Sequence, residues 1–183
     1  MNVQTSPATM KYQTVIALGS NIGERDKYIL EAIKMIRESF GVVLKISNFY
    51  ETDPMGENAT FPFLNGAILA STNLEPDAQM RLLLEIEVKL GRERKVHWGN
   101  RTIDLDIITI ESELGPISSS TDLLKCPHPH LAARDFVLIP ACEVCPEAKH
   151  SPTGVTLQEL LESAKFRSTF EGKIRHLSET TDN

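Results

Sequence analysis

The apolar positions of this chain follow two periods in turn. From Thr14 to Ser20 the run TVIALGS is apolar and closes at Gly19, which predicts a strand. The next stretch puts Ile29, Ile33 and Ile36 at helical spacing, with Ala32 and Phe40 beside them and Gly41 as the stop. VVLKISNFYET predicts a second strand closed by the turn DPMG, and FPFLNGAILAST predicts a third. EPDAQMRLLLEIEVKLG predicts a second helix, with Pro76 in its first turn and Gly91 past its end. RTIDLDIITI predicts a fourth strand. The order βαββαβ predicts an α+β fold of the ferredoxin-like kind, an antiparallel sheet with two helices on one face. Beyond Ile110, ESELGPISSSTDLL reads as a loop or small hairpin. CPHPHLAARDFVLIPACEVCPEA reads as turns with a short helical stretch, and VTLQELLESAKF as a last helix. Residues 1–12 and 169–183 are polar and read as flexible tails around a single domain, 13–168.

The fourth strand carries a conflict. Asp104 and Asp106 sit two apart in an otherwise apolar run, so both project from one face while Ile103, Leu105 and Ile107 project from the other. Like charges this close raise a carboxyl pKa unless a cation intervenes. The pair alone fits either a half-exposed strand end in water or a divalent metal site. The surroundings shift the balance. Ile108 and Ile110 follow, so the polar face does not continue. Just upstream lie Arg92, Arg94, Lys95 and Arg101. Carboxylates that hold Mg²⁺ beside guanidinium groups suit a polyphosphate. No GxxxxGK[ST] loop occurs. GSNIGE (19–24) reads as a turn and helix start, with Ser20 or Asn21 near the cap.

Composition narrows the partners. The net charge is −6, with 19 basic and 25 acidic residues, which disfavours a general nucleic-acid binder. No apolar run reaches the ~18 residues of a membrane span, and the start has no apolar signal core. Three cysteines, Cys126, Cys142 and Cys145, are an odd count that favours reduced thiols and a cytoplasmic location.

GRERKVHWGNRTIDLDII resembles the signature of the 6-hydroxymethyl-7,8-dihydropterin pyrophosphokinases of folate biosynthesis. ALGSNIGE, FYETDPMG, FPFLNGAI and CPHPHLAARDFVLIP resemble further blocks of that family in the same order, so the likeness runs from about Val15 to Leu161. Family members have the ferredoxin-like fold and transfer pyrophosphate from ATP to the pterin's hydroxymethyl oxygen, releasing AMP. The resemblance implies two Mg²⁺ ions on Asp104 and Asp106, with Arg92 and Arg101 completing the catalytic set. It implies an ATP side made of Glu87, Arg92, Arg94, Trp98, Arg101, Ile107, His128 and Arg134. The pterin side is Thr52, Asp53, Met55, Phe63, Asn65, Trp98 and Phe136, with Phe63 and Phe136 stacking on the ring and Asn65 reading its edge. It also implies a cytoplasmic monomer. His97 and Asn100 depart from the usual residues of the signature.

Rival readings differ in class. Cys126, His128, His130, Cys142 and Cys145 are zinc-type ligands, but their spacing is not a standard one and the stretch between them is apolar. A non-catalytic ferredoxin-like binding module shares the fold but leaves the aspartates and arginines unexplained. An RNA-recognition domain needs an aromatic strand pattern that is absent here.

Overall fold

The run from Tyr12 to Ser20 (β1) takes the middle of a seven-stranded sheet in a computed structural model, which describes residues 10–54, 58–93, 99–164 and 173–175. It pairs antiparallel with β4 (Phe63–Thr72) on one side and β5 (Asp104–Ser112) on the other. The stretch expected as one strand from Val42 is two, β2 (Val42–Ile46) and β3 (Phe49–Thr52), each paired antiparallel with β4. Ser47 marks the break. Its backbone N–H donates to the Ala67 carbonyl (2.9 Å), while its hydroxyl oxygen accepts the Ala67 N–H (2.8 Å) in place of a ladder carbonyl.

A two-residue strand β6 (Gly115–Pro116) closes the expected hairpin after β5. Two further small hairpins are β7 (Ser119–Ser120) with β8 (Lys125–Cys126), and β9 (Lys149–His150) with β10 (Val155–Thr156). A short strand, β11 (Lys173–Arg175), pairs with β3 inside the stretch expected as a tail. The order across the sheet is β11-β3-β4-β1-β5-β6, with β2 also on β4.

Helices cover both faces. On one, α1 (Arg25–Ser39) and α2 (Pro76–Lys89) bring Ile29, Ile33, Ile36, Leu83 and Ile86 against Ile16, Leu18, Leu64, Ile68, Leu105 and Ile107. On the other, α3 (Asp135–Val144) seats Val137, Leu138 and Ala141 on Val15, Ala67, Leu69 and Ile108. The sequence marked this only as a short helical stretch. A last helix, α4 (Leu157–Ser163), starts with a capping box between Thr156 and Glu159. Helix α1 begins at Arg25 with Glu24 before it, so neither Ser20 nor Asn21 caps it, contrary to expectation. Asn21 is engaged by another segment, described below.

The core fixes the face on which the aspartates stand. Ile103, Leu105 and Ile107 are all at most 2% exposed against the helices. A one-residue slip of β5 would turn them out, forfeiting roughly 1.5–3 kcal/mol for each aliphatic chain. Further along, Ile107 pairs with Ile16 and Thr109 with Val15, which leaves Ile108 as an extra residue in a bulge. After it the phase changes. Ile108 lies in the α3 cluster, whereas Ile110 rejoins the α1/α2 cluster.

Candidate active site

Asp104, Gly19 and Asn65 lie in one row across the sheet, because Gly19 of β1 pairs with Asp104 of β5 and with Asn65 of β4. Asp106 lies in the next row of the same face, opposite Ala17, which in turn faces Ala67. Small residues in the central strand leave the floor low. A Cβ at Gly19 would come within 2.9 Å of Asn65 Oδ1 and 3.8 Å of Asp104 Cβ, so this row needs bare backbone at its centre.

The end of α2 delivers the first arginine. Gly91 adopts φ +78°, and the N–H groups of Gly91 and Arg92 donate to the carbonyls of Val88 (3.1 Å) and Glu87 (3.0 Å). This Schellman turn folds the chain back over the helix end. The Arg92 guanidinium therefore meets the Glu87 carboxylate and also donates to Asp104 Oδ1 at 2.5 Å. Glu87 is only 1% exposed, and its Oε1 also accepts the Leu105 N–H at 2.8 Å. Arg101 approaches from the other side and donates to Asp104 Oδ2 at 2.7 Å. Both oxygens of Asp104 are thus held by guanidinium groups. Burial would lower the Arg92 pKa, but Asp104 and Glu87 outweigh it and raise the value.

Asp106 differs. Burial, then repulsion from Asp104 and Glu87, pushes its pKa up to about 7, with Arg92 and Arg101 pulling the other way. A carboxyl held this high is relieved by an added cation. The two carboxylates on one face are an oxygen donor set of the kind that suits Mg²⁺ with substrate phosphates. Among the described residues no group of three His, Cys, Asp or Glu is arranged around a metal.

On the β3–β4 side, Asn65 is 7% exposed and donates from Nδ2 to the Thr52 hydroxyl at 2.8 Å. Its Oδ1 hangs over Gly19, and the Phe63 ring edge also borders this spot, 3.7 Å from the position of a Gly19 Cβ. Asp53 is exposed at the end of β3. Phe136, half-buried at the start of α3, has the Arg134 guanidinium 5.8 Å from its ring centroid. Burial lowers the Arg134 pKa, and the charges of Asp106 and Asp104 partly offset that.

His128 leads into this corner, its N–H bonded to the Ile108 carbonyl at 3.0 Å. Burial, then Arg134 and His130, lowers its pKa to about 4, so it is neutral near pH 7. Its Nδ1 accepts the His130 N–H at 3.2 Å, which puts the ring proton on Nε2. Ile107 sits in the core at 2% exposure, so only its backbone is left to meet a ligand. Met55, Arg94 and Trp98 lie outside the described residues.

The model of the 7,8-dihydro-6-hydroxymethylpterin-pyrophosphokinase (HPPK) family matches residues 15–146. The chain belongs to this family. An HPPK of Bacillus subtilis (strain 168), named 2-amino-4-hydroxy-6-hydroxymethyldihydropteridine pyrophosphokinase, is 42% identical over 139 residues, covering 75% of this chain and 81% of its own. An HPPK of the same name from Pseudomonas aeruginosa is 36% identical over 160 residues, covering 86% and 94%. Among solved structures, an HPPK-DHPS crystallised with substrates superposes with a TM-score of 0.61 at 16% identity. That match covers 84% of this chain and 43% of the longer one, and at this identity it speaks for the HPPK fold alone.

Of the residues expected at the site, the structure thus draws together Glu87, Arg92, Arg101, Asp104 and Asp106 by direct contact or adjacency, and Thr52, Phe63 and Asn65 along β3 and β4. Sequence reasoning missed the roles of Asn21, expected near a helix cap, and of Asn100, marked only as a departure from the signature. Asn21 is 2% exposed, and a buried amide one residue past a strand was the signal available for it. The cysteines are divided between clusters, Cys126 with the α1/α2 side and Cys142 and Cys145 with the α3 side. Burial pushes all three thiols up to about 11, so they stay protonated packing groups.

Proposed function

We propose that this protein transfers pyrophosphate from ATP to the hydroxymethyl oxygen of 6-hydroxymethyl-7,8-dihydropterin, a step of folate biosynthesis that releases AMP. The observation that carries the reading is the cluster at the head of β5, where two carboxylates on one face meet two guanidinium groups, in a chain of the HPPK family. In the reaction the pterin oxygen bonds to the β-phosphorus. The bridge to the α-phosphorus breaks, its electron pair leaves with AMP, and the hydroxyl proton passes to solvent.

Two Mg²⁺ ions on Asp104 and Asp106, when bound, would neutralise the phosphates and lower the pKa of the attacking hydroxyl. Asp104 and Asp106 present their oxygens from a fixed strand, so that geometry is set before substrate arrives. Arg92 and Arg101 hand over from Asp104 to the phosphates, and Glu87 keeps Arg92 in place. His128, neutral with its proton on Nε2, offers a hydrogen-bond donor to the nucleotide without a charge, and Arg134 adds a cation. Thr52, Asp53 and Asn65 read the pterin edge, and Phe63 and Phe136 stack on its faces. Arg94, Trp98 and Met55 join these sets by resemblance, as does the backbone of Ile107. Phosphoryl transfer rests mainly on positioning and electrostatics, so no side-chain base is required.

The sheet order supports the finer fold reading. With β2 and β3 taken as one broken strand, the four long strands run 2-3-1-4, the split βαβ plan of ferredoxin-like folds. We also read 13–168 as one catalytic domain, working as a cytoplasmic monomer.

The test is the nucleotide product. Protein, Mg²⁺, ATP and reduced hydroxymethylpterin should yield AMP with the pterin diphosphate. ADP would mark an ordinary kinase. Neither product would favour a binding module of the same fold.

A further inference from the structure

We propose that Asn100 is a positioning residue, whose side-chain amide ties the pterin-side segment 58–62 to the backbone that presents Arg101 to Asp104. The inference rests on the pyrophosphokinase reading and adds a residue to it.

The tie is a closed set of hydrogen bonds. Asn21, at the end of β1, donates its backbone N–H to the Arg101 carbonyl (3.1 Å) and accepts the Arg101 N–H on Oδ1 (2.7 Å). Its Nδ2 donates to the Phe61 carbonyl (3.2 Å) and to Asn100 Oδ1 (2.7 Å). Asn100 Oδ1 also accepts the Thr60 N–H (3.0 Å), and its Nδ2 donates to the Thr60 hydroxyl (2.9 Å). Beside them Gly99 forms a parallel bridge with Asn58, and Arg25 donates to the Pro62 carbonyl at 2.8 Å.

The polarity of both amides is determined. Turning Asn21 over would set its NH₂ against the Arg101 N–H. Turning Asn100 over would set its NH₂ against the Thr60 N–H and the Asn21 NH₂. Asn100 is therefore needed as a double acceptor, and a side chain without an oxygen there leaves two donors unpaired.

Placement gives the tie its function. Segment 58–62 runs directly into Phe63 and Asn65, which line the pterin side. Asn100 precedes Arg101, whose guanidinium holds Asp104 Oδ2. One amide thus sets the distance between the part of the chain that holds the pterin and the part that holds phosphate. An in-line transfer is sensitive to that distance, since a misplacement of about 1 Å can cost on the order of a hundredfold in rate.

The experiment compares AMP formation by the wild type, Asn100→Leu, Asn100→Asp, Thr60→Val and the Asn100→Leu/Thr60→Val double variant. Asn100→Leu should lower kcat roughly ten- to a hundredfold and raise the pterin KM, with little change in thermal midpoint. Asn100→Asp keeps both acceptor contacts and should restore most of the loss. Thr60→Val should add little on top of Asn100→Leu, because the two act through one link. Wild-type kcat and KM in Asn100→Leu would overturn the proposal. So would an equal loss in the Leu and Asp variants that tracks a lowered thermal midpoint, which would make Asn100 merely structural. If the wild type itself forms no AMP, the pyrophosphokinase reading falls and this inference with it.

Discussion

Strand β5 passes through two environments on the same side of the sheet. Its first residues, Asp104 and Asp106, lie where β1 and β4 offer Gly19, Ala17 and Asn65, with arginines arriving from Arg92 and Arg101. A few residues on, Ile108 lies under α3 among Val137, Leu138 and Ala141, with no exposed surface. The strand pairing is the same in both halves. What differs is whether a helix lies on top. Under α3 the face is filled by close packing, and any charge would need a partner there. At the other end the two carboxylates are each partly exposed among the described residues, and burial and like charge leave Asp106 with its pKa raised to about 7. Substitutions in the two halves should therefore separate function from stability.

The largest expected effect is at the aspartate end. Asp104→Ala or Asp106→Ala should cut the rate of AMP formation by about a thousandfold or more, while pterin binding measured by calorimetry survives. If both variants keep near-wild-type rates, the division proposed here is wrong. A second effect follows from the raised Asp106 pKa. Its folded value lies above the ordinary 3.8, so ionising it destabilises the metal-free protein. The stability it lends as a neutral acid is complete below about pH 4 and lost as pH rises through about 7. Mg²⁺ needs the ionised form, so its affinity should be roughly tenfold weaker at pH 6 than at pH 8. Metal titrations at the two pH values check this, and an unchanged affinity would remove Asp106 from the ligand set. The smallest effect belongs to the covered half. Ile108→Val should lower unfolding free energy by about 1 kcal/mol in denaturant titration and leave the rate of the folded fraction unchanged. A rate loss there would show that the two halves are coupled.

Much of this arrangement was legible in the pattern of residues. The period of two in IDLDI placed both aspartates opposite Ile103, Leu105 and Ile107, because core burial enforces that register. Pro76 and Gly91 marked the ends of α2. Other parts were hidden for physical reasons. The split of β2 from β3 turns on one hydroxyl, that of Ser47, replacing a carbonyl in the ladder, and no local pattern announces it. Glu87 was placed only by resemblance, on the ATP side. Its burial follows from Arg92, which reaches it only because the Schellman turn reverses the chain. Asn21 resembled a helix cap, since an asparagine after a strand and before a helix fits one. Its partners Arg101 and Asn100 lie about eighty residues away, and long-range amide pairs leave no periodic trace.

The bulge at Ile108 has a bearing on how this strand can vary. Its extra residue allows Asp106 and Ile108 to face one way while Ile110 faces the other. Loss of that one residue would return the strand to plain alternation, with Ile107 still opposite Ile16, Thr109 opposite Val15 and Ile110 opposite Thr14. The aspartates and Ile110 would keep their faces, and only the Ile108 side chain would be lost from the α3 cluster. The bulge is thus the one place in this strand where chain length can change by a residue without turning the carboxylates, so a gap between related sequences should fall there and nowhere else in the strand.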